Sequence, residues 1–144
     1  MLRAKHFQSG MQTLRQLEFA LFDMRLHHEH SLGAIINVQD LLNEIRSTMA
    51  VIQPPAYHRF QNSFSHIFAG GYAAGYYSYK WSEVLSADAF NRFEEEGIFN
   101  QETGRSFLNN ILAKGGEEEP KALFENFRGR PPSIKPLLTH LGLI

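Results

Sequence analysis

Apolar side chains recur at helical spacing along nearly the whole chain, and no strand-like alternation persists anywhere. Between about Phe7 and His28 there is no glycine or proline after Gly10. Phe7, Met11, Leu14, Leu17, Leu21 and Met24 form one stripe, and Phe19, Phe22 and Leu26 a second. Two stripes on one helix predict burial on more than one side. This periodicity predicts an all-α chain, read as one helical segment over residues 1–144.

Punctuation divides the remainder. Asn37 with Asp40 three residues later approximates a capping box. Val38, Leu41, Leu42, Ile45 and Met49 then make a single apolar face, and Pro54-Pro55 is the expected stop. Tyr57 to Ile67 reads as part helix and part loop, broken by Gly70-Gly71. A long helix is expected from about Tyr72 to Glu96, ended by Gly97. Shorter helices are expected over about Gln101 to Ala113, from Pro120 to Phe127, and from a Ser133 cap to near Gly142. There is no internal repeat and no low-complexity segment.

The informative run is His66 to Trp81, with four tyrosines in eight residues. On a helix, Tyr72, Tyr76 and Tyr79 would share a face, with Tyr72 and Tyr79 roughly 10 Å apart along the axis at about 1.5 Å per residue. Gly75 would leave a notch between phenols, suited to an extended peptide. A phenol is also a good donor to an oxyanion in acyl transfer. Gly70-Gly71 would add backbone N–H groups and a flexible joint, and His66 another donor. Helical tyrosines also serve as ordinary core residues, and spacing alone leaves both readings open. Tyr77 and Trp81, with Val84, Leu85 and Phe90, read as core.

Other chemistries find little support. His27-His28-Glu29-His30 offers no pair of histidines four apart and no evident third ligand, so it reads as a polar helix end beside the negative pole of the dipole. No phosphate-binding glycine fingerprint and no G-x-S-x-G is present. The chain has no cysteine, which excludes thiolate zinc sites and thiol nucleophiles within it and fits a reducing compartment. With 14 basic and 15 acidic residues it lacks the basic excess of a nucleic-acid binder. Glu117–Glu119 and the pair Arg128 and Arg130 read as solvated surface. No apolar run reaches the roughly 20 residues that span a bilayer, and the first residues lack a secretory apolar centre. The chain is read as cytoplasmic, with no nucleic-acid or membrane partner.

The run FSHIFAGGYAAGYYSYKWSEVLSADA, Phe64 to Ala89, resembles the C-terminal region of the M3 family of zinc oligopeptidases. So do LRQLEFALFDMRLH upstream and FNRFEEEGIFN, ILAKGG and FRGRPP downstream, in the family's order. The resemblance implies a multi-helix C-terminal part of a zincin-type catalytic domain that lines a channel for short peptides. It implies that Tyr79 stabilises the tetrahedral intermediate and that Tyr72 contacts substrate or the same oxyanion. It implies that His66 binds substrate backbone, that Gly70 and Gly71 form an adaptable loop, and that Tyr76 belongs to the same substrate site. Lys80 departs from the pattern, since relatives usually carry an aliphatic residue there.

The family's zinc is held by H-E-x-x-H, and no such run occurs in these 144 residues. The expectation is therefore zinc in the complete enzyme, none bound by this chain alone, and no activity alone. Its partners would be peptide substrates and the N-terminal part of the peptidase, and a bare channel face could drive self-association. The competing reading is a free-standing helical peptide-binding module that kept the groove without the catalysis.

Overall fold

A single turn, Leu2–Lys5 (α1), leads into the helix Ser9–Ser31 (α2) in the computed structural model, which describes residues 1–33 and 35–144. The second apolar stripe of α2 is the buried one. Ala20, Phe22 and Leu26 pack with Leu41, Leu42 and Ile45 of Val38–Met49 (α3), and with Phe64, Ile67 and Tyr76. Each such large apolar side chain contributes about 1.5–3 kcal/mol when fully buried. The first stripe is only partly covered: Phe7, Leu17, Leu21 and Met24 are exposed. The expectation of burial on both sides thus holds for one stripe, while these residues of the other meet solvent.

The cap at Asn37 forms as its sequence predicts. Its Oδ1 accepts from the Gln39 and Asp40 N–H groups at 3.1 and 3.2 Å. The stop comes at Met49, ahead of the prolines, where Ala50 turns extended. Gln53 Nε2 donates at 2.9 Å to the Arg46 carbonyl, which also accepts the Ala50 N–H at 2.9 Å. A buried ion pair joins α2 to α3: Arg46 Nε lies 2.9 Å from Glu18 Oε1, which Arg15 also reaches at 2.9 Å. A 3₁₀ turn over Phe60–Ser63 and the short helix Ser65–Phe68 (α4) follow.

Residues Met1–Lys80 form one compact unit and Trp81–Ile144 a second. The helix Ser78–Glu96 (α5) begins in the first and supplies most of its length to the second. Gln101–Phe107 (α6) is capped by the Asn100 side chain and continues as a π-helical turn, Leu108–Leu112. Pro120–Arg128 (α7) starts on its proline and ends at Gly129, whose φ of 75° suits a left-handed cap. Lys135–His140 (α8) follows Ser133, whose Oγ accepts from the Lys135 N–H at 3.3 Å.

Within the second unit Phe93, Phe107 and Phe127 pack ring to ring, and the Arg92 guanidinium lies 4.9 Å from the Phe127 ring centre while donating to the Phe127 carbonyl. The arginines expected at the surface are not simply solvated. Asp88 on α5 is fully buried and accepts from Arg130 at 2.6 and 2.7 Å, from Arg128 at 3.1 Å and from the Ser133 N–H at 2.7 Å. Arg128 also grips Glu95 at 2.7 and 2.8 Å. A carboxylate removed from water needs such partners, and the arginines 40 and 42 residues later supply them. Tyr77 and Trp81 correct the reading in the other direction, since both are half exposed. Tyr77 precedes α5, so it does not stack one turn before Trp81 on a common helix face. Phe90 is likewise exposed, whereas Val84 is buried.

Candidate functional site

The tyrosine segment is not a helix from its start. Tyr72 to Tyr77 is a succession of turns, and α5 begins only at Ser78. Three backbone features enforce this. Gly71 adopts φ of 77° and Ala74 a φ of 54°, both outside the right-handed helical region. The Tyr72 N–H reaches back to the His66 carbonyl at 3.0 Å, closing a loop across the glycines. The third feature lies far away in sequence: Asp23 Oδ1 accepts from the Ala74 N–H and Oδ2 from the Tyr76 N–H, each at 2.9 Å.

This turn gathers the tyrosines more tightly than a helix would. The Tyr72 and Tyr79 rings are 5.0 Å apart between centres, not spread along an axis, and Tyr76 lies 5.2 Å from Tyr79. The His66 ring sits 6.3 Å from Tyr72, 5.7 Å from Tyr76 and 6.3 Å from Tyr79. Phe64 and Phe19 back Tyr76 at 5.0 and 5.9 Å. Four of the residues named from sequence thus converge within the first unit. Tyr72 and Tyr79 remain 37% and 40% exposed, so both can meet a ligand, whereas Tyr76 is buried.

The hydroxyls differ accordingly. Tyr76 Oη donates to Gln16 Oε1 at 2.9 Å. Burial pushes its phenol above the ordinary tyrosine range, with Arg15 acting weakly in the opposite sense. Its ring is a wall of the site and its hydroxyl is engaged on α2. The Tyr79 phenol is also held above its ordinary range, first by its hydrogen bond with Tyr72 and then by burial. Two hydroxyls carry two hydrogens, and one bond between them uses only one. The pair therefore keeps a hydrogen for an outside acceptor.

The glycines play a different part from a simple joint. A Cβ on Gly70 would lie 3.0 Å from the His66 Cα and carbonyl oxygen, tight against backbone, so a bare position lets the chain fold back closely on His66. The Gly70 N–H is engaged by the Ser65 carbonyl at 2.8 Å. Gly71 is held by its left-handed conformation. Gly75 leaves no helical notch: a Cβ there would make ordinary contacts from 3.5 Å.

Periodicity and motifs do not single out Asp23, yet the sequence carries a signal for it. A carboxylate on the buried stripe beside Phe22 must have partners, because an ionised side chain is costly to bury alone. Here it is fully buried. His27 completes its shell, with Nδ1 2.9 Å from Asp23 Oδ1 and 2.8 Å from the Asp23 carbonyl. Two acceptors on one nitrogen place the ring hydrogen on Nδ1. Among the described residues no group of three or more His, Cys, Asp or Glu side chains converges to hold a metal ion. The residues of this cluster do not by themselves make up a zinc site. Nor is any helix among the described residues long and apolar enough to cross a membrane.

Residues 1–143 match the family described as Peptidase family M3, and the chain belongs to that family. It is 57% identical over 143 residues to oligopeptidase A of Escherichia coli strain K12, covering 99% of this chain and 21% of that relative. It is 49% identical over 148 residues to the probable cytosolic oligopeptidase A of Arabidopsis thaliana, covering all of this chain and 21% of that relative. Against the dipeptidyl carboxypeptidase of Escherichia coli K12 the identity is 38% over 146 residues, with 99% and 21% covered. The chain spans about a fifth of the length of these relatives.

Proposed function

We propose that this chain is the substrate-contacting, oxyanion-stabilising part of a zinc oligopeptidase that hydrolyses short peptides, and that it is inactive by itself. The observation that carries this reading is the Tyr72–Tyr79 pair. Its rings lie 5.0 Å apart beside His66, and both reach solvent. In this reading a peptide lies across the pair with its scissile carbonyl toward the phenols. As the carbonyl becomes tetrahedral, its oxygen gains charge and accepts a hydrogen from Tyr79; where Tyr72 also supports the same oxygen or an adjoining carbonyl, the bond between the two phenols is given up. The raised Tyr79 phenol keeps its proton through neutral pH, so it acts as a donor and not as a base.

His66 then offers a ring nitrogen to substrate backbone. Tyr76 supplies a rigid wall, and the Gly70-Gly71 turn sets how closely a peptide can approach. The zinc and the base that activates water come from the part of the polypeptide that these 144 residues do not include. Support for the assignment is the family membership together with the convergence of His66, Tyr72, Tyr76 and Tyr79.

The test is Tyr79→Phe in the complete peptidase. Loss of one oxyanion donor costs about 3 kcal/mol in the barrier, so kcat should fall roughly a hundredfold or more. KM should change far less, because the bond is made mainly in the transition state. An unchanged kcat removes Tyr79 from this role.

A further inference from the structure

We infer that Asp23 is a positioning residue for the catalytic tyrosines, acting through the backbone of the turn that carries them. The inference rests on the role proposed for Tyr72 and Tyr79. Asp23 touches neither phenol; it takes the N–H groups of Ala74 and Tyr76, 51 and 53 residues away, with one carboxylate oxygen each. Those two bonds bracket Gly75 and fix the stretch between Tyr72 and Tyr79.

Ala74 is the strained point of that stretch. It is one of two described non-glycine residues with positive φ, at 54°. An L-residue with a Cβ is disfavoured there, and such a conformation persists only where its surroundings impose it. The imposing group is identifiable. Asp23 is fully buried on α2, α2 is anchored in the core through Phe22 and Leu26, and His27 holds the carboxylate from one turn further on. The carboxylate thus refers the turn to the rigid helix, not to the loop on either side. Without it, the turn keeps its local bond from the Gly75 N–H to the Tyr72 carbonyl at 2.8 Å but loses its tie to α2, and it relaxes. Tyr72 and Tyr79 then lose their 5.0 Å ring spacing.

The chemistry selects an acidic residue. Two backbone donors converge on two oxygens, and only a carboxylate presents an acceptor to each. Asparagine has the same shape but one acceptor, and its amide hydrogens would face the second backbone N–H. That leaves a buried donor unpaired.

The experiment uses the complete peptidase with a quenched fluorescent peptide and compares Asp23→Asn, Asp23→Asn with Ala74→Gly, and Tyr79→Phe. Misplacing the phenols should lower kcat of Asp23→Asn on the order of tenfold to a hundredfold, with KM within about twofold. Adding Ala74→Gly removes the penalty for positive φ and should recover about fivefold or more of the lost kcat. A loss that Ala74→Gly leaves untouched assigns Asp23 to general stability and overturns the positioning role. So does a kcat within about twofold of the parent in Asp23→Asn while Tyr79→Phe is impaired. If Tyr79→Phe is itself inert, the tyrosine reading fails first and this inference goes with it. Should Asp23→Asn not accumulate as folded enzyme, Ala74→Val with the native carboxylate carries the test. Valine is still less suited to positive φ, so kcat should fall with KM held, and an unchanged kcat overturns the inference.

Discussion

Single carboxylates decide the local geometry of both units. Asp88 is the clearer case for pH. Burial pushes its carboxyl upward, but the hydrogen bonds from Arg130, the Ser133 N–H and Arg128 outweigh this and hold it below the usual range. The sign follows from linkage. A group whose folded pKa is depressed contributes stability that is present above its unfolded value, about 3.9 for aspartate, and lost as pH falls through the lower folded value. Urea midpoints should therefore drop below about pH 4, and Asp88→Asn should flatten that part of the profile. Superimposable profiles for the two proteins between pH 7 and 2 would contradict the assignment. At this scale the sequence was legible where chemistry is local and opaque where it is not. Asn37 announces its own helix. Arg128 and Arg130 look like surface charge because their partner lies 40 and 42 residues earlier.

Helix α3 shows how much an element can disclose. One capping residue and one apolar face define it, and its ends depend on side chains within a few positions. Asn37→Ala removes the acceptor for the Gln39 and Asp40 N–H groups and should destabilise the chain by about 1 kcal/mol, read as a shift in urea midpoint at unchanged slope. A midpoint equal to the parent's would mean that water satisfies those donors equally well. The tyrosine segment discloses far less. Its residues have enough helix character to extend α5 back to Tyr72. Long-range bonds from Asp23 and positive φ at Gly71 and Ala74 prevent this. Which rings cluster was therefore readable, namely His66 with Tyr72, Tyr76 and Tyr79, while the shape of the cluster was not. The helical face and its Gly75 notch give way to a folded turn whose rings pack at 5 to 6 Å.

The chain as a whole belongs to Peptidase family M3 and covers about a fifth of its relatives' length. In the function proposed, the chain supplies the donors, and the metal and the base lie elsewhere in the complete enzyme. Purified as these 144 residues, it should take up no zinc at equimolar level and show no peptide turnover. Turnover that a chelator abolishes would contradict that division of labour. The exposed stripe of Phe7, Leu17, Leu21 and Met24 on and before α2 belongs to the same scale, since the sequence pattern marks it for burial and these 144 residues leave it exposed.

If Tyr72 and Tyr79 act as a coupled pair on the transition state, a double-mutant cycle of kcat in the complete enzyme will show it. Tyr79→Phe and Tyr72→Phe should each lower kcat. Combined, they should cost less than the sum of the two, with a coupling on the order of 1 kcal/mol or more, because each hydroxyl orients the other. Independent, additive losses, or a Tyr79→Phe enzyme as fast as the parent, would contradict it.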